Sequence, residues 1–369
     1  MLWLAAMALA GWLVLAATGF WLCSERDDRV LARDPQVWPE VVAVVPARDE
    51  ADVIARSVAS LVAQDYPGPF RIVLVDDNSS DGTGDVARAL GAERVTVIAG
   101  APLADGWTGK LWAVQQGIAA AGSPRYLWLT DADIAHAPDT LRRLVGIATA
   151  GDRKLVSLMV HLHCQTWAER ALVPAFVWFF MMLYPFNWIN RPGRVSGAAG
   201  GCVLVEAEAL AAAGGIAAIR NALIDDCTLG ALIKRRGRVW LGLTRRSHSL
   251  RPYAGWGEIA RMIARSAYAQ LRYHPLLLVV AVAGLGLVFG VPLWAALCAT
   301  GAAHWLGLGA LGLMVLLYQP LLAFYRRSPL WGLALPLVAA FYTGCTLWSA
   351  LAWYRGAGGM WKGRAQAGR

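Results

Sequence analysis

The sequence predicts an α/β domain that is flanked by membrane-spanning helices. Apolar residues make up 57% of the 369 residues and charged residues only 16%. Soluble globular chains are usually about half apolar and about a quarter charged. Apolar runs without a charge lie near both ends of the chain, and strand and helix patterns alternate between them. This composition excludes intrinsic disorder, which requires low hydrophobicity and high charge.

The first apolar run covers residues 2–23 and is long enough to cross a bilayer core of about 30 Å. We predict an uncleaved membrane anchor over residues 1–24. A signal peptide would have a basic region in front and a shorter apolar core. Arg26, Arg29 and Arg33 follow at once. Because positive residues stay cytoplasmic, the chain after the anchor is expected in the cytoplasm.

The C-terminal part, residues 275–355, is also predicted to be membrane-embedded. Residues 276–324 carry no charge and can supply two spans with a turn near 300–304. Residues 330–354 form a third candidate span. Three spans would leave the basic tail, residues 356–369, outside the cytoplasm. One segment is therefore expected to be re-entrant or interfacial.

Two further segments are predicted to lie at the membrane surface or inside the protein. The apolar run 171–189 is broken by Pro174 and Pro185. A full span there would put the two halves of the middle region on opposite sides of the membrane, so we expect an interfacial or buried segment. Residues 251–274 are predicted to form an amphipathic interfacial helix.

The middle region, residues 38–250, has the pattern of an α/β domain. Residues 41–45 form a continuous apolar run, which is typical of a strand buried on both faces. Helical spacing of apolar residues follows over 53–62. Further strands are predicted at 71–75, 94–98, 126–130 and 154–160, and further helices at 83–90 and 110–121. This alternation predicts a mostly parallel sheet, in which ligands bind at the carboxyl ends of the strands.

Polar clusters follow the first two predicted strands. Residues 46–50 (Pro-Ala-Arg-Asp-Glu) come after the first, and residues 76–83 (Asp-Asp-Asn-Ser-Ser-Asp-Gly-Thr) after the second. Carboxylates at a strand end can accept hydrogen bonds from ribose hydroxyls or from a base N–H. Turn formation and helix capping are the alternative explanation, since Asp, Asn, Ser and Gly favour turns.

A third cluster, Asp131-Ala132-Asp133, follows the strand at 126–130. Two carboxylates one residue apart can share a hard cation. Mg²⁺ and Mn²⁺ usually take one or two protein carboxylates together with waters and substrate phosphate oxygens. Residues 161–164 (His-Leu-His-Cys) suggest zinc instead, but no second group of ligands accompanies them in the sequence.

The remaining candidates lie later in the chain. Asp225 and Asp226 precede a helical pattern at 227–234, where they suit either a helix cap or a general base. Arg261 and Arg265 occupy a helical stretch near the membrane-like segments. They suit contacts with lipid headgroups or with a diphosphate leaving group.

The order of these clusters resembles the inverting family 2 glycosyltransferases of the GT-A fold, a Rossmann-like nucleotide-diphospho-sugar transferase domain, across about residues 40–270. The motifs that carry the resemblance are residues 46–50, 75–83, 109–113, 131–133, 197–201 with Gly214 and Gly215, and 224–229. Two departures stand out. Asp225 replaces the usual Glu, and residues 262–266 retain only Arg265 of the Q-x-x-R-W segment of processive members. The second departure favours transfer of a single sugar.

The whole layout resembles the hopene-associated glycosyltransferases of bacteria. The resemblance rests on the N-terminal span, the loop 106–110, the C-terminal spans and the tail 361–364. It implies a multi-pass protein of the bacterial inner membrane with a cytoplasmic catalytic domain, and a hopanoid or related polyisoprenoid acceptor. A polyprenyl phosphate is the alternative acceptor.

The resemblance also implies a role for each candidate residue. Residues implied to hold the nucleotide-sugar donor are Pro46, Arg48, Glu50, Asp76, Asp77, Lys110 and Asp131. Asp131 and Asp133 would hold Mg²⁺ or Mn²⁺. Asp226 falls at the position of the general base, with Asp225 beside it. Arg261 and Arg265 would contact the leaving group or the acceptor.

Other classes of protein are compatible with single features of the sequence. A glycoside hydrolase also uses paired carboxylates but needs neither a divalent metal nor a nucleotide pocket. A non-catalytic membrane or transport component would place ionisable residues within the spans, yet residues 276–324 contain only His304. The net charge of +9 would suit nucleic acid, but no basic run with interleaved aromatics stands away from the membrane-like segments. Eighteen Trp residues favour a lipid interface.

Overall fold

The computed structural model describes residues 1–91 and 93–356, together with the backbone of residues 360–361 and 364–365. The chain divides into two compact units. A helical unit comprises residues 1–23, 164–185 and 252–359, and a sheet unit comprises residues 24–163, 186–251 and 360–369. Most of the predicted basic tail, including Lys362, lies outside the described residues.

The sheet unit is built on one eight-stranded sheet. Its strands are β1 (Val41–Ala47), β2 (Phe70–Asp76), β3 (Val95–Ala99), β4 (Tyr126–Thr130), β5 (Ile134–His136), β6 (Arg153–His161), β7 (Cys202–Glu206) and β8 (Arg238–Ser249). The order across the sheet is β3-β2-β1-β4-β7-β6-β8-β5. Its helices are Ile54–Val62, Thr83–Ala89, Gly109–Ala120, Thr140–Ala150, Phe186–Ile189, Ala207–Ala212, the 3₁₀ turn Ile216–Ile219 and Asp225–Lys234. Two short strands, Met360–Trp361 and Arg364–Ala365, pair separately.

The α/β fold is confirmed, but the sheet is less uniformly parallel than predicted. Strands β1, β2, β3 and β4 pair in parallel, as the alternation indicates. Strand β7 lies antiparallel between β4 and β6, and β5 is antiparallel to β8. A strand that is buried on both faces has the same apolar pattern in either direction. The sequence therefore could not reveal the reversal.

The core forms between apolar residues that alternate along the strands and apolar residues that recur once per turn along the helices. Alternate residues of β1 (Val41, Ala43 and Val45) are fully buried and share one cluster with the helix Ile54–Val62. On the other side of β1, a side-chain Cβ at Gly117 would lie 2.4 Å from Val44 Cγ1. Only glycine allows this close approach of the helix Gly109–Ala120. The approach sets the position of Lys110 at the start of that helix.

The helical unit contains helices that suit a membrane. Its elements are Leu2–Thr18, Phe20–Leu22, Trp167–Leu183, Trp256–Gln270, Pro275–Leu285, the π turn Gly286–Gly290, Val291–Cys298, Gly301–Phe324, Pro329–Ala334 and Leu335–Tyr354. Within the described residues, four segments are long and apolar enough to cross a bilayer: Trp167–Ile189, Pro275–Cys298, Gly301–Phe324 and Pro329–Tyr354. The helix Leu2–Thr18 is shorter, with 17 residues, and reaches about 26 Å at ~1.5 Å per residue.

These candidate spans differ in how much protein covers them. Only 11% of the most apolar window of Pro275–Cys298 is buried, against 56% for Trp167–Ile189. The first segment therefore presents apolar side chains outward, as contact with lipid requires. About half of the second is covered by protein, and the interfacial or buried position expected for this segment stays a prediction.

Pro174 does not break its helix, contrary to the prediction from the sequence. It lies inside the continuous helix Trp167–Leu183, and the helix ends before Pro185 as expected. An interior proline removes a hydrogen bond and costs about 3 kcal/mol. Leu172, Val173 and Ala175 around it are fully buried, and their packing offsets that cost.

Candidate active site

The two polar clusters predicted after β1 and β2 meet at the carboxyl ends of these neighbouring strands. Arg48 Nη1 donates to the backbone oxygen of Asp77 at 2.5 Å and lies 3.7 Å from Asp77 Oδ2. The backbone N–H of Glu50 donates to Thr83 Oγ1 at 2.8 Å. The meeting follows from the parallel pairing of β1 with β2, which sets Ala47 opposite Asp76.

Several carboxylates of these clusters hold the loops together. Asp81 accepts from the N–H of Ala51 at 2.9 Å and from Thr83 Oγ1 at 2.5 Å. Partial burial opposes ionisation of Asp81, but the Thr83 bond and backbone N–H groups hold the pKa of this carboxyl below its usual value. Asp49 accepts from Ser80 N–H at 2.8 Å. For Asp49 and Asp81 the structure favours the turn explanation.

Asp76 and Asp77 have different surroundings. The Asp76 carboxylate accepts from Ser79 N–H at 3.1 Å. A Cβ on Gly84 would lie 2.2 Å from Asp76 Oδ2, so glycine makes room for this carboxylate at the start of the helix Thr83–Ala89. Asp77 is fully buried beside Arg48. Asp76 remains partly accessible and can accept a further hydrogen bond.

Lys110 joins two predicted groups that are far apart in sequence. Its ammonium lies 2.8 Å from Asp131 Oδ1 and 3.4 Å from Asp225 Oδ2. Burial alone would lower the pKa of Lys110, but the carboxylates of Asp131 and Asp225 raise it above its ordinary value. Lys110 therefore stays charged and links the end of β4 to the start of the helix Asp225–Lys234.

Asp226 lies beside this ion pair. Its Oδ2 accepts from Gly200 N–H at 3.1 Å and its Oδ1 from Cys227 N–H at 2.7 Å. Burial, followed by repulsion from Asp225, raises the pKa of Asp226 to about 6. A carboxylate with such a pKa is ionised at pH 7 and is a stronger base than an exposed aspartate.

The charged side chains of Lys110, Asp131, Asp225 and Asp226 line one pocket. Its polar lining residues are Lys110, Thr130, Asp131, Asp225 and Asp226, and Pro46 and Gly200 also line it. The apolar lining residues are Leu111, Val114, Leu129, Val203, Ile216, Ile219 and Leu229. The space measures about 410 Å³, part of it open to solvent. Arg48, Glu50, Asp76, Asp77 and Asp133 lie outside this lining.

Asp131 and Asp133 fit a divalent cation. They flank Ala132 in the turn from β4 to β5. Burial, followed by the charge of Asp131, raises the pKa of Asp133 to about 6. A shared cation would relieve this repulsion. Within the described ranges no group of three His, Cys, Asp or Glu side chains forms a metal site. The pair therefore suits an ion that completes its shell with water and ligand oxygens. Among the residues that the structure describes, His161, His163 and Cys164 belong to no such group.

Sequence reasoning missed Arg251. Its guanidinium forms an ion pair with Glu50, 201 residues earlier. Its backbone N–H donates to Ser249 Oγ at 3.4 Å, and that hydroxyl donates to Asp133 Oδ2 at 3.2 Å. No local pattern marks Arg251, because its role depends on where the end of β8 lies. The sequence could have indicated Arg251 only as an arginine that closely follows a strand.

Arg261 and Arg265 belong to the helical unit, whereas the pocket belongs to the sheet unit. Both are exposed and lie one turn apart on the helix Trp256–Gln270. Ile259 and Ile263 on the same helix are buried. The helix is therefore amphipathic, as predicted for this segment, and the roles of the two arginines stay predictions.

The chain has the mixed α/β fold of the GT-A type. A solved structure of similar fold is the mannosyltransferase PcManGT from Pyrobaculum calidifontis in complex with GDP-Man and Mn²⁺. It is 19% identical, the match covers 97% of this chain and 99% of that one, and the TM-score is 0.56. Residues 42–213 match the family model of glycosyl transferase family 2. Together these findings show the GT-A fold and, over residues 42–213, a similarity to glycosyl transferase family 2.

Two curated proteins match parts of the chain. The succinoglycan biosynthesis protein ExoO of Rhizobium meliloti (strain 1021) is 35% identical over 117 residues, 32% of each chain. The 4,4'-diaponeurosporenoate glycosyltransferase of Staphylococcus aureus (strain bovine RF122 / ET3-1) is 36% identical over 92 residues, 25% of this chain and 23% of its own. The chain thus spans about a third or less of the length of these relatives.

Proposed function

We propose that this protein is a membrane-bound inverting glycosyltransferase, which moves one sugar from a nucleotide-sugar donor to a lipid acceptor. The observation that carries the proposal is the pocket in which Lys110 bridges Asp131 and Asp225 beside Asp226. It places a cation, a candidate base and one of the two candidate metal ligands, Asp131, around one space. That set matches what displacement of a nucleoside diphosphate requires.

The donor would be held by the residues at the carboxyl ends of β1, β2 and β4. Arg48, Glu50 and Asp76 would contact the base and ribose, with Pro46 and Lys110 nearer the diphosphate. The buried Asp77 would hold Arg48 in place. Mg²⁺ or Mn²⁺ bound to Asp131 and Asp133 would neutralise charge on the leaving diphosphate. Lys110 adds a fixed positive charge at the same place.

Asp226 would act as the general base. The N–H groups of Gly200 and Cys227 hold its two oxygens in place. The acceptor oxygen forms a bond to the anomeric carbon as the bond to the diphosphate oxygen breaks, and the acceptor proton passes to Asp226. Attack opposite the leaving group inverts the anomeric centre without a covalent intermediate.

A lipid acceptor is supported by the apolar helices and by the apolar lining of the pocket. A lipid could keep its tail in the bilayer while its hydroxyl reaches a cytoplasmic site, in a bacterial inner membrane. The name of the S. aureus relative, a 4,4'-diaponeurosporenoate glycosyltransferase, supports an apolar acceptor such as a hopanoid or polyisoprenoid. If the acceptor is a polyprenyl phosphate, Arg261 and Arg265 would bind its phosphate instead of the leaving group.

Nucleotide binding tests the donor site. We expect one of UDP, GDP and CDP to bind the detergent-solubilised protein in the presence of Mn²⁺, as measured by calorimetry. Asp133→Ala should abolish the dependence on Mn²⁺. Asp85→Ala, whose carboxylate is 85% exposed, is the matched control and should bind as the wild type does. Absence of binding to all three nucleotides would refute a sugar-nucleotide donor.

The pH dependence of turnover tests the base. Because the pKa of Asp226 is raised to about 6, its basic form is present above that pH and is lost as the pH falls through it. At saturating donor and metal, kcat should be level near pH 7–8 and fall about tenfold per unit below about pH 6. A kcat that stays constant down to pH 5 would contradict a base with this pKa.

A further inference from the structure

A series of buried side chains, linked by hydrogen bonds, lies beside the Asp131–Asp133 turn. His136, which is 5% exposed, lies on β5. Its Nε2 is 2.9 Å from Thr130 Oγ1, and its Nδ1 is 2.8 Å from Ser247 Oγ. Thr130 Oγ1 is also 2.9 Å from the backbone oxygen of Gly201. Four segments of the sheet unit therefore meet through one imidazole.

The positions of the protons follow from these contacts. A carbonyl oxygen can only accept, so the Thr130 hydroxyl donates to Gly201 and accepts from His136 Nε2–H. Nδ1 then accepts from the hydroxyl of Ser247. Burial lowers the pKa of His136 to about 3. The imidazole is therefore neutral at ordinary pH, and one tautomer satisfies every group in the series.

This series of hydrogen bonds reaches the two parts of the candidate site, the Asp131–Asp133 turn and Asp226. Thr130 directly precedes Asp131. On β8, Ser247 pairs with His136, and two residues further Ser249 pairs with Ile134 and donates to Asp133. At the other end, Gly201 follows Gly200, whose N–H binds Asp226.

We propose that His136 is a positioning residue that sets the spacing between the Asp131–Asp133 turn and Asp226. The inference rests on the proposed function, because it assigns the two sides of the pocket to the donor and to the base. His136 itself touches neither substrate. It acts through Thr130 and Gly201 on the base, and through β8 on Asp133.

Any buried histidine needs partners for its ring nitrogens, and His136 is distinguished by where its partners lie. Its ring packs 4.6 Å from the ring of Trp128, a contact that an apolar side chain could also make. Burying a polar ring is unfavourable unless its nitrogens are bonded. Here the two nitrogens bond to the hydroxyls of Thr130 and Ser247. Thr130 ends the strand that precedes Asp131, and Ser247 lies on the strand that carries Ser249, so the hydrogen bonds fix the positions of those strands.

His136→Phe tests the inference, because it keeps the ring packing and removes both hydrogen bonds. We expect a folded protein whose kcat falls roughly 10- to 100-fold, the effect of a small misplacement of catalytic groups. KM should change less than kcat. His136→Gln, which can donate to Thr130, should recover part of the loss. A Thr130→Val/His136→Phe double variant should be no worse than the poorer single variant.

Ser57→Ala is the matched control for a structural role. Ser57 is buried and its hydroxyl donates to the backbone oxygen of Ile134 on β5 at 2.8 Å, outside the series that includes His136. It should lower the melting temperature while leaving kcat near that of the wild type. An equal loss of kcat in Ser57→Ala and His136→Phe would overturn the positioning role, as would wild-type kcat in His136→Phe.

Hydrogen exchange separates this inference from the proposed function, since it needs no turnover. The amide of Gly200 donates to Asp226, and that of Leu250 donates to the backbone oxygen of Asp133 at 2.8 Å. In His136→Phe both amides should exchange faster, while those of β2 should not. Unchanged exchange would overturn the positioning role. If the wild type binds no nucleotide but exchange changes as expected, the coupling of the two pocket sides holds and the proposed function fails. Should His136→Phe not fold, Ser247→Ala is measured in the same way.

Discussion

Asp226→Asn is expected to lower kcat by about 10²–10⁴-fold while leaving the dissociation constant for the nucleotide within a few-fold of that of the wild type. The amide has nearly the same shape as the carboxylate but cannot take a proton from the acceptor. Its single amide oxygen can still accept from Gly200 N–H, the bond that Asp226 makes at 3.1 Å, while the bond from Cys227 N–H is lost. The fold and the donor site should therefore survive the change.

The comparison with Asp225→Asn shows which carboxylate is the base. Asp225 lies 3.4 Å from the Lys110 ammonium, so it is partly neutralised and suits a supporting role. We expect Asp225→Asn to lose much less turnover than Asp226→Asn in the same steady-state assay. The acidic limb of the pH profile should remain in Asp225→Asn and disappear in Asp226→Asn. Full activity of Asp226→Asn would remove this residue from the role of base.

Lys110→Met is expected to reduce kcat/KM by roughly 30- to several-thousand-fold, as loss of one partner of a buried charge pair costs about 2–5 kcal/mol. The substitution leaves Asp131 and Asp225 without their shared cation, beside the carboxylate of Asp226. The pocket then carries excess negative charge and repels the donor diphosphate. Both the dissociation constant of the nucleotide and kcat should worsen.

Lys154→Met provides a close control for Lys110→Met. The Lys154 ammonium also bridges two carboxylates, Asp152 at 3.1 Å and Glu206 at 2.9 Å, but it lies outside the lining of the pocket. We expect this variant to keep the kcat/KM of the wild type, with at most a small change in melting temperature. Equal losses in the two variants would mean that the effect of Lys110 is on stability alone.

The meeting of the polar clusters at the strand ends could be predicted from the sequence. The clusters after β1, β2 and β4 each follow an uninterrupted apolar strand, and parallel strands place their carboxyl ends at one edge of a sheet. The meeting of Arg48 with Asp77 follows from that rule alone. The same rule places Asp131 at this edge, because β4 pairs in parallel with β1.

The other half of the site could not be predicted in this way. Lys110 meets Asp225 across 115 positions of chain, and Glu50 meets Arg251 across 201. These contacts depend on the antiparallel insertion of β7 and on the path of β8, which an apolar pattern does not encode. The series of buried side chains that includes His136 depends on the same strands. Its residues carry no local signature of a shared role.

By itself, the sequence determined the class of fold, the apolar segments and most side chains that could carry chemistry. The periodicity of apolar residues and the polar clusters at strand ends are local properties, so they can be recognised from the sequence alone. Only the tertiary structure decided which charges share the pocket, that Asp49 and Asp81 serve their loops, and that Pro174 stays within its helix. Those outcomes depend on burial and on contacts between segments that are distant in sequence. The free energies of these interactions are determined by the packed structure.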